Sequence, residues 1–288
     1  MRVAVTGGDG RLGRKLTSTL QRRGHDVFTL ARAALDITDP AAVRQIADWR
    51  PDVVVNAAAW TDVDGCAREP ARAMLINADG AELVARAAST AGASVVQIST
   101  NEVFPGTLHR PYREDDEVEA TNPYGASKLR GELAVRAANP RHLVVRTAWL
   151  FGNGRADFVS KILAAAEKAA TAHEPLQVVT DEWGNPTWVD DLADRVAGVV
   201  ERRLEAPLTP TLHLCGEPPA SRYRWAEEIV HAAGLDVGLS PVLSRDFPRS
   251  STPPLRAILD TGTAASVGVA PIGWVAETAR HAARLRPR

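Results

Sequence analysis

The stretch that decides the fold opens the chain: Met1-Arg2-Val3-Ala4-Val5-Thr6-Gly7-Gly8-Asp9-Gly10-Arg11-Leu12-Gly13. An apolar run, Arg2–Val5, ends in glycines spaced G-x-x-G-x-x-G at 7, 10 and 13, and an amphipathic stretch from Arg11 to Arg23 follows at once. A buried strand that runs through a glycine turn into a helix begins a βαβ unit. In that setting Gly7 permits the tight turn, Gly10 lets backbone approach a pyrophosphate, and Gly13 lets the helix pack close to the sheet. The first turn of the helix (Arg11, Leu12) offers N–H groups and a positive dipole end to phosphates. Glycines alone also fit a plain turn. Their place between strand and helix makes a dinucleotide site the preferred reading.

Working outward, His25–Leu30, Asp52–Asn56, Ser94–Ser99 and His142–Thr147 read as further strands, and Glu69–Ala91 and Asn122–Ala138 as helices. Near-continuous Val/Ile runs that alternate with helices imply strands buried on both faces. The fold class is therefore α/β, a Rossmann-like doubly wound parallel sheet. After about residue 150 the pattern loosens. Prolines and glycines concentrate in 205–220 and 238–254, between helical stretches near 190–203, 222–234 and 273–285. The expectation is a cofactor unit over 1–150 and a smaller C-terminal substrate-binding lobe over 151–288, with the chain free to cross back.

Bulk composition narrows the classes. Hydrophobic residues make up 45% and charged residues 24% of 288, an ordinary globular balance. A formal net charge of −1 leaves no electrostatic footprint for nucleic acid or an anionic membrane, so any anionic ligand needs local groups. Cys66 and Cys215 stand far apart, with neither disulfide-scaffold nor metal-ligand spacing. No apolar run approaches the ~20 residues that span a bilayer. The opening strand lacks the pattern of a secretory signal, so a cytoplasmic location is expected.

The end of the second strand chooses between dinucleotides. An NAD site places Asp or Glu there to bind the ribose 2′-hydroxyl. This chain reads Phe28-Thr29-Leu30-Ala31-Arg32, without an acid. Arg32 can instead pair with a 2′-phosphate, so NADPH is the expected cofactor and NADH the second choice; a solvated loop cation is the plainer reading of Arg32.

Tyr124 and Lys128 form a YxxxK pair in a helical pattern, on one face at i and i+4. A nearby ammonium should lower the phenol's pKa from ~10 and make it an acid–base group for carbonyl chemistry. Thr100, at the end of the fourth strand and 24 residues before Tyr124, can hydrogen-bond a substrate carbonyl. Alternation along the strand sends its neighbour Ser99 to the opposite face.

The segments RPDVVVNAAAWTDVD, STNEVFPG, NPYGASKLRGE, VVRTAWLFG and VVTDEWGNPTWVDDLA resemble successive signatures of the dTDP-4-dehydrorhamnose reductases, members of the extended short-chain dehydrogenase/reductase group. The resemblance covers nearly the whole chain and is most specific from 50 to 192. It implies reduction of the 4-keto group of a dTDP-linked 4-keto-6-deoxyhexose with NADPH, with Thr100, Tyr124 and Lys128 in the catalytic roles. It implies that Asp36 and Ile37 meet the adenine ring and that Ala57, Ala58 and Ala59 lie along the cofactor. It also carries Thr61, Val63 and Trp149 onto positions of the cofactor and sugar-nucleotide pocket. A homodimer is left open. Metal-ligating glutamates known in some members have no match here, so no metal is expected.

One departure stands out. The family's usual STDYVF is here Ser99-Thr100-Asn101-Glu102-Val103-Phe104, which replaces Asp and Tyr beside the substrate by Asn101 and Glu102. Trp149, Trp183 and Trp188 are read as pocket walls, and Trp49, Trp225 and Trp274 as packing. Two other readings remain. A sugar-nucleotide dehydratase or epimerase resembles this chain in fold and YxxxK, but those dehydratases use an adjacent Asp-Glu pair that Asn101 breaks. A non-catalytic regulatory subunit, like that of methionine adenosyltransferase, looks similar too; the intact Thr-Tyr-Lys set argues against it.

Overall fold

Val53, Val54 and Val55 are all fully buried in a strand of four residues, Val53–Asn56. Their side chains divide by parity. Val53 and Val55 join the core built on Leu12 and Leu16, whereas Val54 joins the core built on Val84 and Ala85. Each fully buried valine contributes roughly 1.5–3 kcal/mol of transfer free energy, enough to hold so short a segment between two layers. The same split separates Val3 and Val5 from Ala4 in the first strand. A strand buried on both faces needs helices on both sides, which is the doubly wound arrangement.

In the computed structural model, which describes residues 1–138, 141–153, 156–205 and 210–286, the main sheet holds six parallel strands. They are β1 (Arg2–Thr6), β2 (Asp26–Leu30), β3 (Val53–Asn56), β4 (Ser94–Thr100), β5 (Leu143–Thr147) and β6 (Thr211–His213), in the order β6-β5-β4-β3-β1-β2. Helices α1 (Arg11–Arg22), α2 (Pro40–Trp49), α3 (Val63–Arg68), α4 (Pro70–Met74), α5 (Gly80–Thr90) and α6 (Pro123–Ala138) cover its faces or its carboxyl edge. The continuous helix expected over Glu69–Ala91 is instead interrupted by a π turn at Leu75–Asp79. Within that turn Asn77 accepts from the Trp60 N–H (2.7 Å) and donates to Trp60 O (3.0 Å) and Ser127 Oγ (3.0 Å). The extra residue aims one side chain at both the loop after β3 and α6, a common use of π bulges.

After residue 150 part of the chain packs on the first core. Helix α8 (Val189–Glu205) adds Leu192, Val196, Val199 and Val200 to the core of Val3 and Leu16, and β6 extends the sheet beside β5. The remainder forms a second core. Helices α7 (Phe158–Ala172) and α9 (Arg222–Ala233), with the C-terminal helix Val275–Leu285, bury Ile162, Trp188, Trp225, Ile229 and Ala282 together. A parallel pair, Leu176–Val179 with Leu239–Val242, edges this lobe. Among the described residues, no helix is long and apolar enough to cross a membrane.

Candidate active site

The carboxyl ends of β1, β3 and β4 are linked by side chains. Thr6 Oγ1 donates to Asn56 Oδ1 (2.5 Å), Asn56 Nδ2 to Gln97 Oε1 (2.7 Å) and Gln97 Nε2 to Ile98 O (3.1 Å). Beside these ends opens a cavity of about 470 Å³, where ligands of open α/β sheets bind. Gly10, Arg11, Leu12 and Gly13 form one side of it, and Ala57, Ala59, Thr61 and Val63 another. Gly7 has φ +66°, and a Cβ at Gly13 would fall 2.1 Å from Gly7 O, so the turn and α1 tolerate no side chain there. Gly10 caps α1 without any side-chain hydrogen bond. The first-turn N–H groups stay available to an anion, as a pyrophosphate needs.

Thr100, Tyr124 and Lys128 line the same cavity, together with Asn101, Glu102 and Trp149. A Cβ on Gly125 would lie 2.1 Å from Glu102 O. Only glycine lets α6 press against the short 3₁₀ turn at Asn101–Val103, and that contact brings Tyr124 to Thr100. Thr100 Oγ1 itself donates to Asn101 Oδ1 (3.3 Å) and accepts from the Glu102 N–H (3.2 Å). Lys128 Nζ donates to Ile98 O at 2.7 Å, and burial lowers its pKa to about 8. The lysine does not lower the phenol's pKa as the YxxxK spacing suggested. Burial, with the Glu102 charge, pushes Tyr124 well above the ordinary phenol value, and the nearby Thr100 hydroxyl offsets this only in part. Tyr124 is thus held protonated, the state a proton donor needs.

Other expected residues take different places. Ser99 turns away from Thr100 as alternation requires, its Oγ donating to buried Glu132 (2.5 Å), which also pairs with Arg146. Ala58 packs against the turn, at the position a Gly7 Cβ would strike. Arg11 reaches across to Leu150 O (2.9 Å) and Ala156 O (3.1 Å), so its side chain ties α1 to the second lobe. Arg32, Asp36 and Ile37 follow β2. Arg32 and Asp36 are exposed, Asp36 Oδ1 accepts from the Thr38 N–H and hydroxyl, and Ile37 is buried in the core against Gly80. Asn101 Nδ2 is bound to Ala257 O (2.9 Å). Of the tryptophans read as pocket walls, Trp149 lines this cavity. Trp188 is buried in the lobe core beside Phe151, and Trp183 packs under Arg256. Trp225, read as packing, is core and also borders the larger cavity described next.

Several site residues gave no periodic signal. Thr147 pairs in register with Thr100, and its Oγ1 is buried in the cavity wall without a partner among the described residues. The strand-end position alone would have found it. Trp149 adopts φ +43°, a left-handed backbone that non-glycine residues resist, and the Arg222 guanidinium lies 3.6 Å from its ring centroid. Glu182 accepts from Arg249 (2.6 Å) and faces Arg222 (3.5 Å). Thr61, Trp149, Asp157 and Arg222 border both this cavity and a larger one of about 1090 Å³ that runs along α7. The two compartments therefore adjoin at Trp149.

Residues 1–286 match the family described as RmlD substrate binding domain. A dTDP-4-dehydrorhamnose reductase of Streptomyces griseus is 40% identical, over 94% of this chain and 89% of that protein. The crystal structure of a dTDP-4-dehydrorhamnose reductase from Clostridium acetobutylicum superposes with a TM-score of 0.90 at 35% identity, covering 99% of both chains. The Bacillus anthracis dTDP-4-dehydrorhamnose reductase, solved in complex with NADP, gives a TM-score of 0.87 at 30% identity, over 98% of this chain and 99% of that one. Matches of this length and identity extend over both lobes, and the chain belongs to the dTDP-4-dehydrorhamnose reductase family.

Proposed function

We propose that the protein reduces the 4-keto group of a dTDP-linked 4-keto-6-deoxyhexose at the expense of NADPH. The observation that carries this reading is the single cavity shared by the glycine turn, Thr100, Tyr124 and Lys128. The uncapped start of α1 and the small-residue run Ala57–Ala59 fit a dinucleotide, and Arg32 would take its 2′-phosphate. When bound, the reduced nicotinamide supplies the hydride to the carbonyl carbon.

The chain's own groups do the rest. Thr100 and Tyr124 hydrogen-bond the carbonyl oxygen and so fix its place. Tyr124, protonated by virtue of its burial, gives its proton as the oxygen gains charge. Lys128 holds a ribose hydroxyl and replenishes positive charge beside the site. The larger cavity takes the nucleotide, with Arg222 and Arg249 near the diphosphate and Trp149 at the junction. In this division residues 1–150 hold the cofactor and catalytic groups, and the lobe built mainly from 151–288 holds the substrate. Val63, Asn101 and Glu102 border the sugar. The test is NADPH oxidation on dTDP-4-keto-6-deoxy-D-glucose and its C3/C5 epimers, with the product assigned by NMR. One NADPH consumed per keto sugar is expected; no sugar-dependent oxidation would sink the reading.

A further inference from the structure

Ketone reduction needs one hydride and one proton donor, and Tyr124 suffices as the donor. Glu102 is a second acid–base group in the same cavity that this chemistry leaves without a task. Its place is built rather than incidental. The Glu102 N–H donates to Thr100 Oγ1 (3.2 Å), and the close approach of Gly125 clamps α6 on its carbonyl. Its carboxylate accepts from Asn122 Nδ2 at 2.7 Å, and Asn122, itself buried, also accepts from the Gly125 N–H (2.9 Å). The carboxylate is thus fixed to the start of the helix that bears Tyr124. The positive charges of Arg222 and Arg249 favour its ionised form, and the Glu182 charge opposes it.

We propose that this pocket also exchanges the hydrogens on the carbons beside the substrate's ketone, with Glu102 as the acid–base group. The inference rests on the reading of the cavity as a 4-keto-sugar site. The Glu102 carboxylate removes a proton from a carbon next to the carbonyl, and the C–H electron pair becomes the C=C bond of an enolate. The carbonyl π pair moves to oxygen, where the Thr100 and Tyr124 hydroxyls stabilise it. Glu102, now a carboxylic acid, exchanges its proton with solvent, which its half-buried position permits. It then returns a proton to the same carbon and the ketone re-forms. Nothing is oxidised or reduced, and no co-reactant is consumed. Burial raises the Glu102 pKa, since the Asn122 hydrogen bond and the two arginines offset it only in part. A carboxylate so shifted is a stronger base than one in water.

The experiment holds the protein with oxidised NADP in D₂O, so that reduction is blocked, and adds dTDP-4-keto-6-deoxy-D-glucose. Deuterium at C3 and C5 is read by mass spectrometry and NMR, and NADPH-dependent reduction is measured on the same sample. Wild type should incorporate deuterium faster than buffer, and Glu102→Gln should slow incorporation by roughly 10²-fold or more. Should Glu102→Gln fail to bind NADPH, Glu102→Asp decides, because a shortened carboxylate should lower the ratio of exchange to reduction. Reduction without exchange in wild type, exchange undiminished in Glu102→Gln, or an unchanged ratio in Glu102→Asp overturns the proposal. Absence of both reduction and exchange would place the failure in the substrate assignment.

Discussion

Asn101 Nδ2 lies 2.9 Å from the carbonyl oxygen of Ala257, a donor–acceptor pair that ties the turn after β4 to the segment opposite it. Both residues are buried, Asn101 at 3% exposure and Ala257 at 0%. The amide is therefore needed as a donor, whereas the family's usual aspartate could only accept while ionised.

Asn101→Asp should accordingly destabilise the protein by about 1–3 kcal/mol at neutral pH, since a buried carboxylate would face a carbonyl. The new carboxyl would have a folded pKa above its unfolded ~3.9. Its protonated form can still donate to Ala257 O, so the native contact survives below the unfolded pKa and is lost as pH rises through the folded one. Urea unfolding at about pH 4 and pH 7 checks this; an equal deficit at both would refute it.

Tyr124→Phe removes the phenol proposed as the proton donor but leaves the glycine turn and Lys128 in place. Turnover should fall by roughly 10²–10⁴-fold while NADPH binding stays near normal. Activity within tenfold of wild type would remove the phenol from the mechanism.

The pH profile should identify Lys128 rather than Tyr124 on the alkaline side. Burial lowers the lysine to about 8, while the phenol is held far higher. As pH rises through about 8 the ammonium is lost first, so kcat/KM in the reductive direction should fall there. Stability moves the other way. A lysine whose folded pKa lies below its unfolded value opposes folding while charged, and that penalty disappears above pH ~10.4. Lys128→Arg keeps its charge, so its alkaline limb should shift upward; a limb still near 8 would assign it elsewhere.

How much of this was legible in the sequence follows from how local each feature is. The path β1–turn–α1 is written in adjacent residues, because glycine spacing and a valine-rich run act within a few positions. The YxxxK pair and Thr100 were legible for the same reason. The π turn was not, because it depends on Asn77 reaching both Trp60 and Ser127. Strand β6 has only three residues in a proline-rich stretch, and it is a strand because β5 offers an open edge. Arg11 follows the glycine turn in sequence yet holds the far lobe. The reversed phenol shift was hidden too, since burial and Glu102 are tertiary facts.

Arg32→Ala should weaken NADPH by about tenfold and leave NADH nearly unchanged, because only the former carries the 2′-phosphate. The side chain is exposed, which limits the effect through solvent screening. Equal losses for the two cofactors in a fluorescence titration would make Arg32 a bystander.

Asp157→Asn tests a buried charge that joins α7, the C-terminal helix and α1. Asp157 caps α7 by accepting from the Ser160 N–H (3.0 Å), accepts from the Gly152 N–H (2.9 Å), and meets His281 Nε2 of the C-terminal helix at 3.0 Å. Arg11 of α1 lies 3.8 Å from the same carboxylate. Burial alone would raise its pKa, but the hydrogen bonds from His281, Ser160 and Gly152 hold it well below the usual carboxylate range. A depressed folded pKa means the charge stabilises the protein above its unfolded value near 3.9, and that contribution is lost as pH falls through the folded one. The neutral amide keeps an acceptor but lacks the charge, and its NH₂ group opposes the donors around it. Asp157→Asn should therefore lose about 3 kcal/mol at pH 7, with the gap to wild type narrowing below pH ~4 as wild type loses the same charge. Denaturant unfolding of both proteins across that range decides it. A gap that stays constant down to acid would mean that packing, not the buried charge, holds these helices together.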